Sequence, residues 1–161
     1  MSIIVSIEIS KNKIKKASLE ALNYASKIAA GTMPVVAVST HDAGSTDLSD
    51  LFKAGASKLV ICHLNDNQHA DPRFAATALQ QIMQKENSNL VVFSHDFGSK
   101  SISPLLAAKI NAGIVPAAVS LPDTGNGYAV KKNVFSGKAT ATYQLKSDKK
   151  IICLLPNTFA V

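Results

Sequence analysis

Tryptophan is absent from the 161 residues, arginine occurs once (Arg73) and cysteine twice. Nucleic-acid readers lean on guanidinium forks and on rings interleaved with basic residues, so this inventory speaks against DNA or RNA as a partner. No apolar run approaches the roughly 18 consecutive residues of a membrane span. The start, Met1-Ser2-Ile3-Ile4, has no basic segment ahead of its apolar stretch and so gives no secretory signal. A soluble, intracellular protein without membrane insertion is expected. Cys62 and Cys153 both lie in apolar, strand-like runs, where a thiol acts as a small hydrophobe, and no disulfide is expected.

Glycine is sparse as well. The only Gly-x-Gly step, Gly125 and Gly127, lies in a turn cluster, and there is no Gly-x-x-Gly, so neither a P-loop nor a dinucleotide fingerprint is present. Gly-x-Ser-x-Gly is missing, and the glutamates are limited to Glu8, Glu20 and Glu86. A hydrolase would lack a positioned nucleophile.

What the chain does have is a net charge of +6, unevenly placed. Lys131, Lys132, Lys138, Lys146, Lys149 and Lys150 face only Asp148 between residue 128 and the end, whereas residues 1–80 nearly balance. Such a stretch is a solvated strand face or a surface for an acidic partner.

Up to residue 121, short apolar runs alternate with helical patterns, the rhythm of a parallel sheet covered by helices. Ile3–Ile9, Val35–Ser39, Lys58–Cys62, Leu90–Phe93 and Val115–Leu121 read as strands one to five. Helices are predicted with an apolar stripe at Leu22, Ala25, Ile28 and Ala29, over Leu48–Lys53, after the cap Asp71-Pro72 with a stripe from Phe74 to Met83, and over Gly98–Asn111 to a stop at Gly113. After the turn cluster Pro122–Gly127, three strands (Tyr128–Phe135, Lys138–Leu145, Lys150–Leu155) follow at hairpin spacing. The fold class expected is α/β: a three-layer α/β/α parallel sheet of order 3-2-1-4-5, extended by a C-terminal antiparallel meander.

Ligands of such sheets sit beyond the carboxyl ends of the strands, where strand order reverses. Three histidines fall on that rim: His41-Asp42 after strand two, Cys62-His63 closing strand three, His95-Asp96 after strand four. Strand one would separate His41 from His95, so no metal site is expected. Cys62 and His63 should point to opposite faces. Glu8 is placed at the exposed end of strand one, orienting the loop at Ser10. The turn from strand four into the following helix offers Gly98, Ser99, Lys100 and Ser101, where free helical amides, a cation and two hydroxyls form a weak anion or phosphate candidate.

The segments Phe97-Gly98, Pro104, Ala107-Ala108, Ile114-Val115-Pro116, Val134–Thr142 and Leu155–Phe159, with Ile4–Glu8 and the lysine-rich turn after it, resemble the N-terminal domain of the electron transfer flavoprotein alpha subunit over essentially the whole chain. The resemblance implies a Rossmann-like, adenine-nucleotide-hydrolase-like fold and one domain over residues 1–161, the C-terminal FAD-binding domain lying outside this chain. It implies an electron carrier rather than an enzyme: a scaffold that docks a beta subunit, in a heterodimer that takes electrons from dehydrogenases on FAD towards the respiratory chain. FAD is then expected in the full heterodimer and not on this chain alone, with no flavin-contacting or catalytic residue carried over. The compartment implied is bacterial cytoplasm or, in a eukaryote, the mitochondrial matrix. The alternative is a stand-alone adenine-nucleotide-binding module of the same fold using Gly98–Ser101.

Overall fold

Runs of β-branched residues make the centre of the sheet. In the computed structural model, which describes residues 1–160, Ser2–Ser6 forms strand β1. Two short pieces, Ile9–Ser10 (β2) and Lys13–Ile14 (β3), then pair as a small hairpin. Lys11 and Asn12 turn that hairpin at positive φ (+52° and +56°), the geometry of a two-residue connection whose twist matches its strands. The first strand thus ends before Ile9.

Helix α1 spans Lys16–Ala29 and closes at Ala30 in the left-handed conformation, one residue ahead of Gly31. β4 (Val35–Ser39), α2 (Ser49–Lys53) and β5 (Lys58–Ile61) follow as predicted. A four-residue helix, α3 (Asp66–His69), went unpredicted; Asn65 and Gln68 cap it reciprocally. α4 (Pro72–Lys85) starts where Asp71 accepts the Arg73 amide. Its inner face uses Ala75, Ala76, Leu79, Ile82 and Met83, while Phe74 stays exposed. β6 (Ser88–Ser94) leads to α5 (Phe97–Ile110).

α5 is closed by Asn111 in the left-handed conformation, not by Gly113. Gly113 opens β7 (Gly113–Ala118), and its own constraint is close approach: a Cβ there would lie 2.7 Å from Ser147 Oγ and 2.9 Å from the Leu145 side chain. Pro116 sits where β7 slips register against its neighbour, beside Ala117 at φ +54°. A bulge is the place where a missing N–H costs no ladder bond. The chain ends with β8 (Ala129–Val134), β9 (Ala139–Gln144) and β10 (Lys150–Leu154).

The strands form one eight-stranded sheet of order β5-β4-β1-β6-β10-β7-β8-β9. Pairing is parallel from β5 to β7 and antiparallel from β7 to β9. The α/β class, the Rossmann-like parallel core and the antiparallel extension agree with expectation; the place of the last strand does not. β10 does not continue the meander. It inserts, parallel, between β6 and β7, so strand five of the predicted order is separated from strand four. The physical reason lies in its residues. Ile151, Ile152, Cys153 and Leu154 are all buried and need cover on both faces, which only an interior strand of a parallel sheet receives. β9, Ala-Thr-Ala-Thr-Tyr-Gln, is mostly exposed and takes the edge instead.

Alternate residues feed two cores. Val5, Val92 and Ile152 face α1, whereas Ile4, Val91 and Ile151 face α4 and α5. Among the described residues no helix is long and apolar enough to cross a membrane. The insertion is testable by truncation. Ile152→Ala should cost about 2–5 kcal/mol, the range for a fully enclosed Ile, and Thr142→Ala on the edge strand no more than about 0.5 kcal/mol. Equal losses in urea unfolding would place β10 wrongly.

Candidate functional site

The carboxyl ends of β1, β4 and β6 open into a cavity of about 490 Å³. The chain leaves β1 for β4 on one side and returns through β6 on the other, so the cavity lies at the point where strand order reverses. Its walls are built from three segments.

Beyond β1, Ile7 donates its amide to Val38 O at 2.8 Å, and the Glu8 amide donates to Ser18 Oγ at 2.9 Å. The Glu8 carboxylate meets Lys15 Nζ at 2.5 Å. Glu8 therefore stands past the strand end, as expected, and ties the β2–β3 loop to the start of α1. The pair is half-exposed, so its worth is orientation more than stability.

The second wall is the turn from β6 into α5. Asp96 is the N-cap: its carboxylate accepts the Ser99 amide at 2.8 Å, and Ser99 Oγ accepts the Asp96 amide at 3.0 Å. Gly98, Ser99 and Ser101 line the cavity; Lys100 is exposed and does not. The amides of Phe97 and Gly98, in the first turn, have no acceptor within the helix. An anion seated on them would lie against the Asp96 carboxylate, which already neutralises the positive end of the helix. This is the feature that inspection of Gly98–Ser101 alone omits, although Asp followed three residues later by Ser is a readable cap.

Helices α3 and α4 supply the third wall, through His69, Ala70, Pro72 and Ala75. His69 stacks on His41 with ring centroids 4.5 Å apart and planes at 28°. The missed helix α3 is thus what gives His41 its neighbour. His63 turns instead to Asp42, Nδ1 to Oδ1 2.8 Å, on the exposed surface. His95 follows β6, on the far side of β1 from His41. Among the described residues no three His, Cys, Asp or Glu side chains come together as a metal-binding group.

Burial, and then the neighbouring His69, holds His41 below the usual imidazole range. Burial, followed by Lys100 and Lys132, does the same for His95. The thiols move the other way: burial raises Cys62 and pushes Cys153 up to about 11, so neither is a thiolate nucleophile near neutral pH. Ser94, the last residue of β6, borders the cavity and is 4% exposed; its Oγ is enclosed and has no hydrogen-bond partner among the described residues.

The two depressed histidines set a pH dependence. Their folded pKa lies below the ordinary value of 6.5, so below that pH the unfolded chain binds more protons than the folded one. Stability should be full above about pH 6.5 and fall as the pH drops towards the folded values. The depressed carboxylates Asp47 and Asp71 release their contribution only below their ordinary 3.8 and do not overlap this window. Urea midpoints at pH 7.5 and 5.5 should therefore converge in the double variant His41→Gln, His95→Gln, and an unchanged gap would refute the assignment.

Comparison with known sequences accords with this architecture. The electron transfer flavoprotein domain model matches residues 3–161. The chain is also similar to the electron transfer flavoprotein subunit alpha of Bacillus subtilis (strain 168), at 26% identity over 144 residues. That alignment covers 85% of this chain and 42% of the relative, so the chain spans less than half the length of the curated protein it matches. With a family match across the sheet, the cleft and the C-terminal ribbon alike, this chain belongs to the electron transfer flavoprotein domain family.

Proposed function

We propose that this chain is the scaffold and subunit-docking domain of an electron transfer flavoprotein alpha subunit, working in a bacterial cytoplasm or a mitochondrial matrix. The observation that carries the reading is the β8–β9 ribbon. β9 is the last strand of the sheet and, among the described residues, pairs only with β8, which leaves its outer row of backbone donors and acceptors without a strand partner. A strand edge of this kind is a template for another chain unless charge or cover blunts it. Beside it stand exposed Lys131, half-buried Lys132 and Phe135, whose ring is 79% exposed at the hairpin. Lys132 Nζ lies 5.9 Å from the centre of the Tyr143 ring, which holds the cation along the strand face. An electrostatically positive patch with an aromatic at its tip suits an acidic protein surface, and the partner in this reading is the electron transfer flavoprotein beta subunit.

FAD does not suit this chain's cleft. The helix terminus that would receive a pyrophosphate carries the Asp96 carboxylate on its Ser99 amide, and Glu8 adds a second negative group on the same cavity. The flavin, and the electron exchange with dehydrogenases, are accordingly assigned to the remainder of the heterodimer. This chain supplies the platform and no reacting group.

Charge reversal tests the docking face. The chain should bind a beta subunit, and Lys131→Glu with Lys132→Glu should weaken association at low salt by about tenfold or more, with the wild-type affinity itself falling as ionic strength rises. Both residues are surface lysines, so circular dichroism should confirm that the variant folds. Association insensitive to salt and to the double reversal would remove the ribbon from the interface.

A further inference from the structure

Residues 63–71 carry the chain from β5 to α4 and include α3, which buries none of its own residues. Among the described residues, the hydrogen bonds of residues 64–71 reach no further than Phe74. Gln68 and His69 donate their amides to Asn65 O, Ala70 to Asp66 O and Asp71 to Gln68 O, while the cap of Asn65 and Gln68 closes on itself. A single helical turn with local bonds and no core residue belongs to the low-stability end of a structure. Leu64, His69 and Ala70 nevertheless form part of the cleft wall.

Two side-chain pairs tie this segment to the loop after β4. His69 stacks on His41, with ring centroids 4.5 Å apart. His63 Nδ1 lies 2.8 Å from Oδ1 of Asp42, the next residue of that loop. His41, His63 and His69 are all exposed, so protons reach them without prior opening. Protonation acts on the two pairs in opposite directions. A proton on His63 gives its contact with Asp42 the character of a charge-assisted hydrogen bond. Protons on both stacked rings set like charges face to face, which favours separation.

The surrounding charges do not cancel that repulsion. Glu8 and Lys15, from beyond β1, act on His41 in opposite senses and are paired with each other. Asp96 lies on the α5 wall of the same cavity as its N-cap, Asp66 belongs to α3 itself, and Asp71 at the head of α4 is engaged by Arg73. Burial first and His69 next hold His41 below the usual imidazole range, which is the direction expected of a stack that resists charging.

We propose that the His41–His69 stack is an acid-released latch on the cleft wall. With neutral rings it holds α3 against the loop after β4; when both rings are protonated, α3 swings outward on the His63–Asp42 pair, which persists. The device does not depend on the docking ribbon, which lies at the other end of the sheet.

Nuclear magnetic resonance of the chain at pH 7.5 and 5.0 tests it. The proton–proton contact between the His41 and His69 rings should be present at pH 7.5 and lost at pH 5.0, while that between His63 and Asp42 remains. Hydrogen exchange, expressed as protection factors so that the pH dependence of the exchange chemistry divides out, should fall about tenfold at the Gln68, His69 and Ala70 amides, or to the level of an open chain. The Leu79, Ile82 and Met83 amides of α4 should change less than about twofold. His69→Phe keeps a ring on His41 but removes one titrating group, and it should abolish the fall. His95→Gln removes the other depressed histidine and should leave the fall intact, which separates the latch from a global loss of stability. A ring contact that survives at pH 5.0, unchanged protection at residues 68–70, an equal loss in α4, or a His69→Phe variant that still opens would each overturn the proposal. Loss of beta-subunit association alters none of these readouts, so the two assignments fail separately.

Discussion

Strand β10 joins two halves that otherwise share little backbone pairing. On one side stand β5, β4, β1 and β6; on the other, β7, β8 and β9. Its ladder runs from Lys150 to Leu154 against β6 and, with one slip, against β7. The entry is fixed by Gly113, whose amide reaches Ser147 Oγ at 2.7 Å and Lys149 O at 3.1 Å, and the exit by Glu20 on α1. Glu20 is 1% exposed, and its carboxylate accepts the Asn157 amide at 2.7 Å with Lys16 Nζ at 3.9 Å. A buried carboxylate is tolerated only with such partners. The following residues lie on the same helix: Phe159 meets Tyr24 edge-on at 5.0 Å, Lys27 lies over its ring, and Asn23 donates to Ala160 O. The last strand is thereby locked to the first helix, and the ribbon is carried as an extension of the sheet.

That lock explains what could and could not be seen in the sequence. Asp71-Pro72 announces α4 through chemistry confined to two residues, and the apolar runs of β1, β4, β5 and β6 announce themselves by composition. The neighbour of β10 is not a local property. Ser147-Asp148 has the length of a hairpin turn, and the hairpin rule pairs the strands on either side of it; the decisive signal was the unbroken run Ile151–Leu154, which cannot serve on an exposed edge. Glycine after a helical run commonly marks a stop, whereas at Gly113 the Leu145 and Ser147 side chains exclude a Cβ. Long-range contact, not backbone freedom, holds that position.

The cleft was partly legible for similar reasons. Strand order places His41 and His95 on either side of β1, and the structure keeps them there. His69 escaped notice because α3 is one turn long and shows no apolar period, although Asn65 with Gln68 is a capping pair that pattern reading can find. Asp96 stands next to a rim histidine in the sequence, yet its side chain serves the helix as its N-cap. The rule that identified Asp71 as a cap applies to Asp96 unchanged, and it alters the electrostatics of the whole cleft.

The distinction between fold and site follows from this one side chain. A parallel sheet of this order presents a helix terminus at its switch point whatever the sequence, and that terminus attracts anions by default. A carboxylate at the cap accepts one of the terminal amides, that of Ser99, and offsets part of the attraction without disturbing a strand or a core residue. The crevice keeps its shape while the carboxylate at the cap changes its electrostatics. Fold membership therefore says where a ligand would sit, and side chains at that place such as Asp96 and Glu8 decide which chemistry it accepts.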